Sequence, residues 1–380
     1  MKAIVFGGAG VMGSFAVQRL AREADVIVAD IDEEKGKKVA MQYGAEFKKV
    51  DVTNEESLKD CLKGVDVAIN CVGPFYKFAP FVLKACINEC INYVDICDDY
   101  DITLKLINEF DGMAKEKGIT CIVGLGASPG ITNVVASYAS NKLDEIDEIK
   151  IYVTRGIKEE AGGAIPYHML HCWIGDVPVY ENGEFKKAKG LRDGKECIEF
   201  PEPFGEATVY YFGHPETVTL PRYIKVRNVC CKGTFYPSIF RELLLNLEQI
   251  GLLSDKELEI KGIKLSPIDF LATFISSKVE ELSNLPNIPE GGAVIVKVKG
   301  KRNGKHICYK FSGTARMKEA TATPAAIASI MLARNEISSP GVKAPEACVP
   351  AKEFINKLLK ENIFTSSYMA IEKEIEELED

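Results

Sequence analysis

Along the first third of the chain, short uninterrupted apolar runs alternate with stretches whose apolar residues recur every three or four positions. The runs are KAIVFGG, DVIVAD, AEFKKVDV, VDVAIN, NYVDIC and ITCIVG, while FAVQRLA and LKDCLKG between them carry the helical spacing. Strands without polar alternation are buried on both faces, so the pattern predicts an α/β fold. A doubly wound parallel sheet over residues 1–125 has helices on both sides, joined by right-handed crossovers.

After Gly124 the pattern changes. A helix is predicted over residues 131–143, and strands with wider polar alternation begin at Ile149, which marks a second, α+β domain over residues 126–315. Asn303-Gly304 lies between VIVKVK and HICYKF, and Asn182-Gly183 has a similar setting. Both pairs suit the two positive-φ positions of a type I′ hairpin turn. In residues 316–365, MKEATATPAAIASIMLAR is small and apolar along one face and is expected to pack back on the first domain. Residues 366–380 form an acidic tail, of which IEKEIEELED (Ile371–Asp380) predicts a solvated terminal helix.

Composition narrows the function. At 380 residues, 46% hydrophobic and 27% charged, the chain suits a two-domain globular protein. A formal net charge of −8 argues against nucleic acid as a partner. No stretch approaches the ~20 apolar residues of a membrane span, and KAIVF runs straight into glycines without the apolar region of an export signal. A cytoplasmic protein without membrane partners is expected. The 12 cysteines include no CxxC pair and read as reduced, mostly buried thiols. Cys86 and Cys90 stand at helical i,i+4 spacing, and Cys230 and Cys231 on opposite faces of a strand.

Gly8-Ala9-Gly10-Val11-Met12-Gly13 reads GxGxxG between a strand and a helix, the dinucleotide-binding pattern of a Rossmann domain. Gly8 is expected to permit the tight turn, Gly10 the approach of a pyrophosphate and Gly13 close helix packing, with the first N–H groups of the helix facing the phosphates. DVIVAD ends at Asp30, whose carboxylate suits ribose hydroxyls and repels a 2′-phosphate, and Ile31 and Asp32 bring no arginine. NAD is therefore expected in preference to NADP. Asp32 reads as the next helix N-cap. Asp51 and Val52 are expected beside the adenine, and Cys71, Val72 and Gly73 toward the nicotinamide.

NCVGPF (Asn70–Phe75), KAC (Lys84–Cys86), YVDIC (Tyr93–Cys97), GLGASPGITN (Gly124–Asn133) and TARMKEATATPAAIASIM together resemble the saccharopine dehydrogenase-like superfamily, of saccharopine reductase and L-lysine 6-dehydrogenase type. The resemblance spans nearly the whole chain and is weakest over residues 159–237. It implies a Rossmann domain fused to an α+β catalytic domain, a homodimer, and NAD(P)-dependent oxidoreduction at a carbon–nitrogen bond of an amino acid or opine-type secondary amine. Where many relatives have Gly-Glu after the YVDI strand, this chain has Asp98-Asp99. An enoyl-type C=C reductase and a non-catalytic NAD-sensing protein are the alternatives.

Removing hydride from an amine-bearing carbon requires a deprotonated amine, so acid–base groups are expected at the carboxyl ends of the strands. Tyr76 and Lys77 follow the fourth strand, and Asp95, Asp98 and Asp99 surround the end of the fifth. Asp98 doubles as a candidate helix N-cap. Ser128, before Pro129, reads as an N-cap beside free N–H groups that suit a substrate carboxylate. In the second domain Arg155 is a candidate carboxylate anchor, with Lys77 of the first domain the alternative, His168 an acid–base candidate, and Arg222 a further anion-binding candidate. His168 and His171 at i,i+3 lack further ligands, since Cys172 points elsewhere on a helix, so no metal is expected.

Overall fold

The computed structural model describes residues 1–156, 168, 171–254, 256–283 and 289–372. The chain forms two compact units: Met1–Tyr138 with Arg222–Ile224 and Met317–Ile363, and Ala139–Pro221 with Lys225–Arg316 and the chain from Phe364 onward.

The first unit alternates β1 (Lys2–Phe6), α1 (Val11–Leu20), β2 (Asp25–Asp30), α2 (Glu33–Tyr43), β3 (Glu46–Lys49), α3 (Glu55–Leu62), β4 (Val67–Asn70), α4 (Phe75–Asn88), β5 (Asn92–Asp95), α5 (Tyr100–Glu116), β6 (Thr120–Ile122) and α6 (Ile131–Ser140). Its strands form a parallel seven-stranded sheet in the order Gly341–Lys343, β6, β5, β4, β1, β2, β3. The chain leaves β1 toward β2 and β3, then returns to β4 on the other side. That reversal opens the crevice at the carboxyl ends where doubly wound sheets take ligands.

Local chemistry sets the boundaries. β1, β2 and β4 are apolar and almost wholly buried, whereas β3 is the half-exposed edge strand EFKK. It is shorter than the expected AEFKKVDV because its alternating charges face water. The Asp32 side chain accepts the Lys35 N–H at 3.0 Å and starts α2, as expected, and Gly44 at φ +65° ends it. Cys90 lies beyond α4 at φ +58°, so it shares no helical face with buried Cys86. α6 stops at Ser140 rather than residue 143, and the N–H groups of Lys142 and Leu143 close shorter i−3 turns.

The second unit contributes β7 (Glu145–Gly156), β8 (Asp176–Glu181), β9 (Glu184–Lys189), β10 (Glu196–Phe200), β11 (Gly205–Tyr211), α7 (Pro215–Tyr223, reaching into the first unit's residues), β12 (Val226–Tyr236), α8 (Ile239–Gln249), β13 (Leu258–Ile260), β14 (Ile263–Leu265), α9 (Pro267–Ser283), β15 (Gly292–Arg302) and β16 (Lys305–Ala315). A mixed sheet is centred on β7, parallel to β12 and antiparallel to β15. Ile149, Ile151 and Val153 are buried on one face of β7, while Lys150 and Tyr152 stand on the other. Asn303-Gly304 and Asn182-Gly183 have positive φ at both residues and close the β15–β16 and β8–β9 hairpins, as expected. Cys230 and Cys231 are both buried, because β12 is covered on both faces. All 12 cysteines are thiols outside any disulfide, most of them buried.

α10 (Met317–Ala333) and α11 (Ala351–Leu359), with β17 (Gly341–Lys343) between them, belong to the first unit. α10 packs along α1 through alanines that leave no room for larger side chains, Ala325, Ala326 and Ala328 being fully buried. Arg19 of α1 meets Glu361 at 2.6 Å and fixes the end of this segment. β18 (Phe364–Glu372) pairs with β16. The first residues of the acidic tail are thus strand rather than helix, because β16 offers an open ladder edge. Residues 373–380 lie outside the described residues. No helix among the described residues is long and apolar enough to cross a membrane.

Candidate functional site

The loop after β1 is shaped by backbone contact. Gly7 sits at φ +71°, and a Cβ there would lie 2.9 Å from the carbonyl carbon and oxygen of Cys71. The left-handed position is therefore Gly7, not the expected Gly8, which is glycine for want of space beside the Val5 carbonyl and Val28. A Cβ on Gly13 would overlap the Gly7 carbonyl, so Gly13 lets α1 close onto the loop. Gly10, the N-cap at φ −74°, has only the Gly7 oxygen near its Cβ position, at 3.3 Å. Its exposed side fronts the first amides of α1, at Val11 and Met12, which lack intrahelical acceptors.

Asp30 ends β2 half-buried. Its Oδ2 accepts the Ala9 N–H at 2.9 Å and its Oδ1 the Asp32 N–H at 3.0 Å, so the carboxylate braces the glycine loop. Ile31 beside it is 66% exposed. Asp51 accepts the Thr53 N–H and O–H at 2.9 and 2.7 Å, and these bonds, the hydroxyl's first, hold its carboxyl below the ordinary range. Val52 is half-buried within that turn.

Cys71, Val72 and Gly73 follow β4. Burial pushes the Cys71 thiol up to about 12. Tyr76 and Lys77 occupy the first turn of α4, both solvent-facing, with Lys77 Nζ 5.2 Å from the Phe78 ring centre. Behind them lies a buried chain of hydrogen bonds. Asn70 Oδ1 accepts the Val72 N–H at 3.0 Å, and Asn70 Nδ2 donates to Tyr93 Oη at 3.0 Å. Tyr93 Oη donates to Asp95 Oδ2 at 2.8 Å, and Asp95 Oδ1 accepts the N–H groups of Cys97 and Gly124 at 3.0 and 2.7 Å. Burial raises the Asp95 carboxyl to about 6 against these bonds. Asn70 and Tyr93 escaped sequence reasoning. Their signal is an asparagine ending an apolar strand and a tyrosine two residues before an aspartate on one strand face.

Two cap assignments change. The N-cap of α5 is buried Asp99, and Asp98 stands outside the helix half-buried. α6 begins at Ile131, after Gly130 at φ +127°, so Ser128 is not its N-cap and Pro129 is not in its first turn. A tight turn intervenes, closed by the Gly126 N–H on the Pro129 carbonyl at 2.8 Å. Asn133 Oδ1 takes the Gly130 N–H at 2.8 Å.

In the second unit Arg155 lies half-buried on β7, opposite Phe235 of β12 and Gly292 of β15. His168 approaches His214, with ring centres 5.9 Å apart in an edge-on arrangement, and His171 is exposed; fully buried Cys172 does not point away as expected, since its sulfur lies within 4.8 Å of a His168 ring nitrogen. His214 Nδ1 meets Glu216 Oε2 at 2.5 Å, and both residues are buried. Neither was foreseen; the signal was the acid two residues after His214 at the start of α7. Arg222 is exposed and donates to Asn108 Oδ1 at 2.9 Å.

Residues 4–122 match the saccharopine dehydrogenase NADP binding domain, and residues 126–363 the saccharopine dehydrogenase C-terminal domain. The chain is 26% identical over 334 residues to carboxynorspermidine synthase of Vibrio cholerae, covering 78% of this chain and 77% of that protein. It is 22% identical to carboxyaminopropylagmatine dehydrogenase of Synechocystis, covering 94% and 95%. The apo saccharopine dehydrogenase (L-Glu forming) from Saccharomyces cerevisiae superposes with a TM-score of 0.73 at 16% identity, over 97% of this chain and 99% of that one, which shows a shared fold.

Two outcomes follow from this geometry. Gly10→Val is expected to stay folded and lose dinucleotide binding, whereas Gly13→Val is expected to lower the thermal midpoint as well; calorimetric titration and thermal unfolding separate them. Full NAD and NADP affinity in folded Gly10→Val would remove the glycine loop from the site. The second concerns pH. The folded Asp95 carboxyl is raised to about 6, above the ordinary ~3.9. Its contribution to stability is complete below about pH 4 and is lost as pH rises through 6. Urea unfolding should show wild type losing stability relative to Asp95→Asn between pH 4 and pH 7; a constant difference would contradict the buried-acid assignment.

Proposed function

The chain belongs to the saccharopine dehydrogenase family, and from that premise we propose an NAD-preferring enzyme that makes or breaks the carbon–nitrogen bond of a carboxylated secondary amine. Family membership makes the protein an NAD(P)-dependent oxidoreductase. The narrower reading rests on one observation: three relatives aligned over most of both chains are named for carboxylated polyamine derivatives. An opine-type amine is therefore preferred to free L-lysine.

When bound, the nicotinamide supplies or accepts the hydride. The residues that suit its dinucleotide are Gly7, Gly8, Gly10 and Gly13, the amides of Val11 and Met12, and Asp30. Asp30 supports NAD: a carboxylate already fixed by two backbone N–H groups is pre-oriented toward ribose hydroxyls and repels a 2′-phosphate. For the substrate, Arg155 is our carboxylate anchor, with Lys77 as the second candidate. Tyr76, Asp98 and Ser128 remain proposed polar contacts, and the active form is proposed to be a homodimer.

The test is a screen of carboxynorspermidine, carboxyaminopropylagmatine, saccharopine and L-lysine for nicotinamide reduction at alkaline pH, with NAD and NADP in parallel. A carboxylated secondary amine should be the best substrate. Arg155→Ala should lower its kcat/KM by ~10- to 150-fold, the equivalent of ~1.5–3 kcal/mol for a hydrogen bond to a charged group. Asp30→Ala should weaken NAD more than NADP. Equal turnover of the decarboxylated amine would defeat the anchor, and tight NAD binding with no turnover would favour a sensor.

A further inference from the structure

The second unit buries an ionisable pair that neither the dinucleotide nor the carboxylate anchor uses. His214 and Glu216 are 4% and 0% exposed, and their Nδ1 and Oε2 atoms are 2.5 Å apart. Burying such a pair costs several kcal/mol unless its geometry and hydrogen bonds are good, and here the surroundings fix it. The Phe212 ring lies 4.9 Å from His214 and is itself stacked on Trp173 at 4.1 Å. The Thr217 N–H holds the His214 carbonyl at 3.1 Å, and the Gly213 N–H holds the Cys172 carbonyl at 2.7 Å. Glu216 stands in the first turn of α7, where the helix dipole favours its negative charge. On the outer side of this pair is His168, half-buried, its ring edge-on to His214.

We propose that Glu216, His214 and His168 form a proton relay in which His168 exchanges a proton with the substrate amine and His214 and Glu216 are its positioning residues. The proposal rests on the secondary-amine reading. A protonated secondary amine must lose one proton before its carbon can give up hydride. In the relay the amine N–H bond breaks, an N–H bond forms on the His168 imidazole, and no electrons change hands. In the opposite direction the same proton returns to nitrogen. A carboxylate on Nδ1–H of His214 leaves Nε2 as the basic nitrogen, turned to stabilise the positive charge that the His168 ring takes up with the proton.

Cys231 of β12 also lies close, its sulfur within 4.8 Å of the His214 and Glu216 ligand atoms, so the same trio has the composition of a metal site. The spacing favours the relay. Donor atoms sharing a tetrahedral ion at ~2.0 Å bonds sit ~3.3 Å apart, wider than the 2.5 Å here.

The experiment reads the imidazole nitrogens of the whole protein by 15N NMR. Four histidines make the spectrum assignable through single His→Gln variants. Neutral His214 should carry its proton on Nδ1, and Glu216→Leu should abolish that preference. With carboxynorspermidine and NAD, His214→Gln and Glu216→Gln should lower kcat by ~100-fold, within the range of general acid–base catalysis, with KM little changed. His306→Gln, exposed on β16, should behave as wild type. A His214 proton on Nε2, a kcat of His214→Gln within about twofold of wild type, or one equivalent of divalent metal in the purified protein would each overturn the relay. If wild type turns over none of the screened amines, the function reading fails, while the tautomer still decides the relay.

Discussion

The first unit depends on one contact between two stretches of main chain. Where β1 and β4 end side by side, Gly7 turns against the carbonyl of Cys71, and Gly13 lets α1 settle on the Gly7 carbonyl. No side chain fits at either point. The contact brings the amides at the start of α1 to the crevice where the strand order reverses, and it places the loop after β4 beside them. A sheet buried on both faces makes this affordable, because the strands beneath cannot shift without opening a packed core.

Polar groups then stiffen the same edge. Asp30 holds Ala9 and Asp32 through their N–H groups, so one carboxylate sets the glycine loop and the turn that leads into α2. Asn70, Tyr93 and Asp95 tie the ends of β4 and β5 to Gly124, where the chain leaves the sheet. These bonds are buried, and a group missing from such a chain leaves its neighbour unsatisfied at a cost of ~1–3 kcal/mol. The network therefore fixes the position of the Gly126–Gly130 turn and α6 more firmly than loop sequence alone could.

What was readable beforehand follows from range along the chain. The parallel sheet, both hairpins and the Asp32 cap depend on neighbours within a few residues, and periodicity, Asn-Gly pairs and an aspartate before a helix all report on that scale. The glycine fingerprint was legible as a site, but the division of labour among its glycines was not. Gly7 is required by Cys71, far away in sequence. Ser128 looked like an N-cap because it precedes a proline, yet the backbone contact between Gly126 and Gly130 delays the helix. The meeting of His168 with His214 likewise crosses many residues and left no periodic trace. The acidic tail misled for the related reason that a strand edge on β16 recruits Ile371 and Glu372.

The central claim is that hydride moves between a nicotinamide and the carbon beside a secondary amine nitrogen. The most direct measurement uses carboxynorspermidine bearing deuterium on the carbon atoms attached to its secondary amine nitrogen, with NAD as acceptor, and weighs the reduced cofactor by mass spectrometry. The account predicts NADH carrying one deuterium. NADH formed without deuterium, at a rate comparable with that from unlabelled substrate, would contradict it.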